Sequence, residues 1–182
     1  LSLCAGLALA SAAATAFVLY GSETSAKGLA WHPDTWARDP WTWWTASLVH
    51  LSWGHLGANL LGLGAVAVLG YAVGAGWLAI GALLLAWPLC NLSLSLWPEP
   101  MGCSGLSGLL HAATAILWSF VAINFKAKPV NRYLGLILFG GVALKLVLEQ
   151  PWAKPMVFDP AFGFAVIQAS HVSRILGGLG GG

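Results

Sequence analysis

Residues 55–73 read HLGANLLGLGAVAVLGYAV, a run without a single Asp, Glu, Lys or Arg. A helix needs roughly 20 mostly apolar residues to cross a bilayer, so this run predicts a spanning helix. Further apolar stretches of similar length occur at about 1–20, 76–97, 106–125, 131–148 and 161–181. The pattern therefore predicts an all-α integral membrane protein, a bundle of six transmembrane helices that forms a single domain over residues 1–182.

The composition supports the same interpretation. Hydrophobic residues make up 58% of the chain and charged residues only 8%, whereas soluble domains carry about 25% charged residues. The net charge of +2, without a basic patch, argues against a nucleic-acid partner. Cys4, Cys90 and Cys103 have neither metal-ligand spacing nor the even count of a disulfide framework. The chain begins at Leu1 rather than Met, so we expect an incomplete N-terminus, and we interpret the first stretch as an anchor helix.

The cations predict the orientation, because cytoplasmic loops of membrane proteins are enriched in Lys and Arg. Lys126, Lys128 and Arg132 lie between the fourth and fifth stretches without an acid. This connection is therefore expected in the cytoplasm, as are both termini. The long first loop, from Gly21 to Gly54, is expected on the outer side, and its six Trp residues suggest that it lies in the membrane interface.

A first polar group interrupts the apolar pattern at the start of the second stretch. His55 and Asn59 are four residues apart and share one helix face, and His50 lies just before them. Polar side chains inside a membrane are costly and usually functional. The alternative is that they form hydrogen bonds between helices and stabilise the bundle.

A second polar group, at the start of the fourth stretch, contains two overlapping G-x-S-G units centred on Ser104 and Ser107. Glycines beside a serine at a helix N-terminus leave its hydroxyl accessible and bring backbone N–H groups near a developing oxyanion. Gly and Ser are also common packing residues in membrane helices. His111 follows Ser107 by one turn, and we expect it to have a supporting or packing role.

The third polar element is His171, about ten residues into the last stretch. With the predicted orientation, it lies in the outer half of the bilayer, together with Ser107, His55 and Asn59. A hydroxyl, a base and two extra donors at similar depth are the parts of an acyl-transfer site. No acid in the stretches lies near His171 to orient it, so the sequence predicts a dyad.

These residues resemble the rhomboid family of intramembrane serine proteases over most of the chain. The family pattern H-x4-H-x3-N is present as His50, His55 and Asn59, the G-x-S-G motif as Gly-Leu-Ser107-Gly, and the last-helix histidine as His171. The resemblance implies that Ser107 is the nucleophile and His171 the general base and then acid. It also implies that His55, Asn59 and the Ser107 backbone N–H bind the oxyanion, with no metal or cofactor.

Within that family, the chain is similar to the rhombosortase branch. The run GLSGLLHA, which contains Ser107 and His111, resembles that branch's GLSG-x-LHG, and residues 145–150, KLVLEQ, resemble its K-x3-E-Q. The resemblance implies a multi-pass protein of the bacterial inner membrane whose site opens to the periplasm. Its partners would be the lipid bilayer and membrane-anchored exported proteins that end in Gly-Gly, a transmembrane segment and a basic tail.

Besides the doubled G-x-S-G unit, in which Ser107 rather than Ser104 is followed by the family's Leu-Leu-His-Ala, the sequence departs from the family pattern in two places. Thr42 stands where many rhomboids carry the arginine of a Trp-Arg motif, and Arg174 replaces the first glycine of H-x2-G-x3-G, of which Gly178 remains. Arg174 leaves open a catalytically inactive rhomboid-like protein that binds transmembrane segments. A small transporter that uses His55, Asn59 and His171 is a further alternative, although the predicted inner halves of the helices contain few polar residues.

Overall fold

The structure, a computed structural model, describes residues 1–21, 28–32, 34–93, 104–123, 129–149, 156–159 and 164–167. Its helices are α1 (Ser2–Tyr20), α2 (Thr42–Thr45, continued by a 3-10 turn at Ala46–Leu48), α3 (Trp53–Ala72), α4 (Trp77–Leu92), α5 (Ser107–Ile123) and α6 (Pro129–Glu149). Two short strands follow, β1 (Met156–Asp159) and β2 (Phe164–Ile167). They pair antiparallel, with Met156 opposite Ile167 and Asp159 opposite Phe164.

The predominantly helical architecture is confirmed. The first five predicted stretches correspond to α1, α3, α4, α5 and α6, with ends that differ by a few residues. The sixth predicted helix, at about 161–181, is wrong over Phe164–Ile167, which form β2. A short apolar run with β-branched residues suits a strand as well as a helix, so its hydrophobicity alone does not distinguish them. The rest of that stretch, residues 168–182, lies outside the described residues.

Helix α5 lies at the centre of the bundle and packs against α3, α4 and α6. Its buried positions include Ala112, Ala113 and Ala115, whose small side chains let neighbouring helices approach closely. Ala112 belongs to an apolar cluster with Ala86 and Cys90 of α4. The helix that carries the candidate nucleophile is therefore held by neighbours on several sides.

The described part of the first long loop is attached to α4 by side-chain hydrogen bonds to its backbone. Asn91 Nδ2 donates to the Trp43 carbonyl at 2.7 Å, and Trp87 Nε1 donates to the Trp44 carbonyl at 3.1 Å. Trp31 is fully buried and packs against Trp43. The loop therefore packs against the C-terminal part of α4 and contributes α2 to the structure.

Helix α1 presents its polar and apolar residues in an unusual way. Ser11 and Thr15 are fully buried, whereas the side chains of Leu9 and Phe17 are 73% and 58% exposed. A helix on the surface of a water-soluble domain has the opposite arrangement, with its apolar stripe facing the core. The exposed face of α1 is thus suited to an apolar environment.

Among the described helices, α1 and α3 are long and apolar enough to cross a membrane. Helix α4 and the apolar part of α5 are shorter. Helix α4 has 16 residues, which corresponds to a length of about 24 Å. Length and composition therefore support two of the six membrane spans predicted from the sequence.

Candidate active site

A cavity of about 400 Å³ lies between α3, α5 and α6. Most of its wall is apolar, from residues such as Val66, Leu110 and Ile137. Its polar lining consists of His55 and Asn59 from α3, Ser107, His111 and Thr114 from α5, and Lys145 from α6. The cavity therefore brings together three of the four residues predicted to be catalytic, namely Ser107, His55 and Asn59.

The start of α3 sets the positions of His55 and Asn59. Ser52 caps the helix, because its hydroxyl accepts a hydrogen bond from the His55 backbone N–H at 3.1 Å. His55 and Asn59 are both buried and both line the cavity. The predicted common face of these two residues is therefore confirmed.

Asn59 contributes a hydrogen-bond donor to the buried wall of the cavity. Its Nδ2 atom is inaccessible to solvent and has no hydrogen-bond partner among the described residues. Buried amide groups in proteins are nearly always hydrogen-bonded, because an unsatisfied donor costs about 1–3 kcal/mol. Such a donor is typical of a site that binds an oxygen atom of another molecule.

Gly105 packs directly against the His55 imidazole. Its φ is +105°, a conformation that side-chain-bearing residues rarely adopt. A Cβ atom at this position would lie 2.7 Å from His55 Cε1 and 3.0 Å from His55 Nε2. The glycine shared by the two G-x-S-G units is therefore required both by its backbone conformation and by the space available.

Ser107 is the first residue of α5, immediately after the Gly105 turn. It lines the cavity, and Ser104 is not part of the cavity wall. The backbone N–H groups of the first helical turn point away from the helix, and together with the helix dipole they favour negative charge at this end. Of the two serines, Ser107 thus has the surroundings that a nucleophile of acyl transfer needs.

His50 is fully buried and connects the serine segment to the rest of the bundle. The Leu106 backbone N–H donates to His50 Nε2 at 3.3 Å. On the other side of the ring, Nδ1 lies 3.1 Å from the Leu48 carbonyl oxygen and 3.2 Å from the Thr15 hydroxyl. The ring therefore holds both the end of the first loop, at Leu48, and the segment that precedes Ser107.

The surroundings of His50 favour its neutral form. Burial and, to a smaller extent, the nearby imidazole of His55 lower its pKa from 6.5 to about 4, while the hydrogen bond with the Leu48 carbonyl acts in the opposite direction. The His50 and His55 rings meet edge to face with centroids 4.9 Å apart. His50 therefore stays neutral at the pH values of ordinary growth and keeps a lone pair for the Leu106 amide.

His111 lies one turn after Ser107 and forms a hydrogen bond back along its own helix. Its Nδ1 atom contacts the Ser107 carbonyl oxygen, so Nδ1 carries the proton in this contact. The ring is buried and lines the cavity. This geometry agrees with the expected supporting role, because the bond ties His111 to the backbone of Ser107.

The predicted base, His171, lies outside the described residues, as do Arg174 and Gly178, which concern its surroundings. Lys145, Thr15 and the link from His50 to Leu106 were not predicted as parts of the site. For Thr15 a signal was present, because it is a polar residue inside an apolar stretch of spanning length.

No family model matches the chain, and no curated protein matches it. The assignment of a function therefore rests on the local geometry around Ser107 and on the motifs in the sequence.

Proposed function

We propose that this protein is an intramembrane serine endopeptidase of the rhomboid type, with Ser107 as nucleophile and His171 as general base and acid. The observation that carries the proposal is the arrangement of Ser107, His55 and Asn59 around one cavity, with Gly105 packed against the His55 ring. A hydroxyl at a helix N-terminus beside side-chain donors is the arrangement that acyl transfer requires.

The distribution of polar side chains supports a location within the bilayer. Polar residues such as Thr15, Asn59 and Thr114 are buried inside the bundle, whereas apolar residues such as Leu61 and Val68 of α3 are exposed. Exposed apolar side chains are unfavourable in water and favourable in contact with lipid. Polar side chains in a membrane are favourable only inside the bundle, away from the lipid. The proposed protein is a multi-pass protein of the bacterial inner membrane, with both termini in the cytoplasm and the cavity opening to the periplasm.

The proposed reaction has two acyl-transfer steps. Ser107 Oγ attacks the carbonyl carbon of the scissile peptide bond, and its proton passes to His171. Asn59, His55 and the Ser107 N–H hold the oxyanion of the tetrahedral intermediate. The C–N bond then breaks, and the amine product takes the proton from His171. Water, deprotonated by His171, attacks the acyl-enzyme, and the serine leaves with that proton.

The proposed substrates are exported proteins anchored by a transmembrane segment, in the manner of rhombosortase substrates that carry a C-terminal Gly-Gly, a hydrophobic helix and a basic tail. The apolar wall of the cavity supports a substrate with apolar residues near the cleaved bond. The residues KLVLEQ at 145–150 begin with Lys145, which lines the same cavity as Ser107.

The experiment that tests the proposal is covalent labelling of the detergent-solubilised protein with a fluorophosphonate probe. We expect the wild type to be labelled, and Ser107→Ala and His171→Ala to lose the label. Ser104→Ala is the matched control, because it removes a hydroxyl three residues away in the overlapping G-x-S-G unit. We expect it to be labelled at close to the wild-type rate.

Two results would overturn the proposal. One is a folded wild-type protein that does not react with the probe, which would favour an inactive rhomboid-like protein that binds transmembrane segments. The other is labelling that survives Ser107→Ala but not Ser104→Ala, which would transfer the nucleophile to the other serine. A normal thermal unfolding curve for each variant shows that loss of the label is not loss of the fold.

A further inference from the structure

A chain of three buried groups connects α1 to the segment that precedes the candidate nucleophile. The Thr15 hydroxyl of α1 lies 3.2 Å from His50 Nδ1, and His50 Nε2 accepts from the Leu106 N–H at 3.3 Å. The side chains of Thr15 and His50 are both fully buried, and so is Leu106. These contacts link residues that are 35 and 56 positions apart in the sequence.

These contacts are compatible with only one neutral tautomer of the His50 ring. A neutral imidazole has one N–H and one lone pair. The Leu106 N–H is a donor, so Nε2 must carry the lone pair and Nδ1 the proton. The Nδ1 proton then faces two acceptors, the Leu48 carbonyl and the Thr15 hydroxyl oxygen. The opposite tautomer would bring a lone pair against the Leu48 carbonyl and a hydrogen against the Leu106 N–H.

Leu106 is the residue at which α5 begins to form its own hydrogen bonds. Its carbonyl accepts from the Leu110 N–H at 3.0 Å, while its N–H is bound to His50. The preceding amide is held as well, since the Gly105 N–H donates to the Ala46 carbonyl at 2.9 Å. Two consecutive amides are thus fixed just before Ser107, which leaves little freedom in the direction of the first helical turn.

We propose that Thr15 and His50 form a positioning pair that fixes the Gly105–Leu106 backbone and thereby the Ser107 hydroxyl and N–H for reaction. Neither residue touches the substrate. Thr15 holds the ring from α1, and the ring holds the Leu106 amide. This inference rests on the proposed function for its effect on reaction rate, and its effect on the backbone is independent of that function.

Among the residues that the structure describes, the titratable group that faces His50 is His55, from the start of α3. Helix α1 contributes the neutral Thr15, the turn after α2 contributes the Leu48 carbonyl, and the serine segment contributes the Leu106 amide. The pair therefore acts by hydrogen bonding between neutral groups.

Helix α1 supplies a matched control for Thr15. Ser11 lies one turn earlier, is also fully buried, and its hydroxyl has no hydrogen-bond partner among the described residues. Thr15→Val removes a hydroxyl while keeping the shape of the side chain, Thr15→Ser keeps the hydroxyl, and Ser11→Ala removes a hydroxyl that is not bound to His50. A role in packing alone predicts similar effects from Thr15→Val and Ser11→Ala.

The first measurement is the rate of fluorophosphonate labelling at saturating probe. We expect Thr15→Val to lower this maximal rate by about 5–10-fold, because a small displacement of a reacting group has a large effect on rate. The concentration of probe at half-maximal rate should stay close to the wild-type value. The maximal labelling rates of Thr15→Ser and Ser11→Ala should stay within about 2-fold of the wild-type rate. Thr15→Ser keeps the hydroxyl beside His50, and Ser11→Ala removes a hydroxyl that does not contact His50, so the hydrogen bond from the Leu106 N–H to His50 is kept in both.

The second measurement is hydrogen exchange of the backbone amides in residues 104–110, compared with those of α4. We expect Thr15→Val to accelerate exchange at Gly105 and Leu106, and Ser11→Ala to leave it unchanged.

The labelling rate also distinguishes two variants of His50. His50→Gln should react with the fluorophosphonate probe faster than His50→Ala, because the Gln side-chain oxygen can accept from the Leu106 N–H and Ala has no acceptor.

Equal labelling rates and equal exchange in Thr15→Val and Ser11→Ala would overturn the positioning pair. A wild type that does not react with the probe would overturn the proposed function instead. In that case the exchange of Gly105 and Leu106 still decides whether Thr15 and His50 fix this backbone, and unchanged exchange would reject the pair as well.

Discussion

The Gly105 backbone and the His55 imidazole are packed so closely that a Cβ atom at position 105 would lie 2.7 Å from His55 Cε1. The loop that carries the candidate nucleophile therefore has no room for a side chain at the point where it passes α3. The contact also places the start of α5 next to the side chains expected to bind an oxyanion. The contact therefore joins the G-x-S-G motif around Ser107 to the pair of His55 and Asn59, which are far apart in the sequence.

The first prediction concerns this contact. Gly105→Ala should destabilise the protein by about 2–4 kcal/mol, because the methyl group meets the His55 ring and the backbone must keep a positive φ. It should also abolish fluorophosphonate labelling, since relief of the clash displaces Ser107. Thermal unfolding in detergent and the labelling rate measure the two effects.

Gly57→Ala is the control for Gly105→Ala. Gly57 lies in α3 between His55 and Asn59, and a Cβ atom there would have no neighbour within 4 Å. Alanine in a helix is favoured over glycine by about 1 kcal/mol, so this variant should be as stable as the wild type or more stable. A Gly105→Ala variant that unfolds and reacts like Gly57→Ala would contradict the interpretation of the contact.

The second prediction separates activity from stability at Asn59. Asn59→Ala should lower the maximal labelling rate by about 100-fold, which is typical of the loss of one oxyanion donor. Its free energy of unfolding should stay the same or rise by up to about 1–3 kcal/mol, since the substitution removes a buried donor that has no partner among the described residues. Loss of stability in proportion to loss of rate would indicate that Asn59 stabilises the bundle instead.

The third prediction concerns Asn91, which is fully buried. Asn91→Leu should destabilise the protein by about 1–3 kcal/mol, because it leaves the Trp43 carbonyl without the donor that binds it at 2.7 Å. Trp87→Phe removes a more exposed bond to the Trp44 carbonyl and should cost less. Unfolding by denaturant in mixed micelles gives both values. Equal effects of the two variants would show that burial of the bond has no influence.

The fourth prediction concerns pH. The pKa of His50 is lowered to about 4 in the folded protein from 6.5, so between these values the unfolded chain binds more protons than the folded chain. The contribution of neutral, buried His50 to the free energy of unfolding should therefore be fully present above pH 6.5. It should fall by about 3 kcal/mol in total as the pH decreases to 4. His50→Gln removes this contribution. The difference in unfolding temperature between His50→Gln and the wild type should thus diminish towards acidic pH, and a difference independent of pH would contradict the prediction.

The sequence predicted most of the helices because long apolar runs leave few alternatives. The runs at 55–73 and 106–125 contain the helices Trp53–Ala72 and Ser107–Ile123 with small errors at their ends. The strand at Phe164–Ile167 was not predicted, since four apolar residues have no periodicity that distinguishes a strand from a helix. The helix prediction failed at this run because its residues pair as a strand with Met156–Asp159.

The site was predicted to the extent that local spacing determines it. The four-residue spacing of His55 and Asn59 fixed their common face, and the G-x-S-G frame indicated the start of a helix at Ser107. The bond from Leu106 to His50 depends on how the loop approaches α5 in three dimensions, and no sequence spacing expresses that approach. Thr15 is a similar case, because its importance depends on which ring lies beside it.

The hydroxyl of Thr15 also has a consequence for biogenesis. Helix α1 precedes His50 and Leu106 in the chain, so in the proposed membrane location the Thr15 hydroxyl can enter the bilayer before either partner has packed against it. A threonine hydroxyl in a helix can donate to the carbonyl of the preceding turn, which an imidazole or a carboxylate cannot do as readily. Thr15 can therefore cross an apolar phase with its hydrogen bond satisfied by its own helix and later accept one from the ring. Selection for insertion and selection for activity then favour the same residue type at this position.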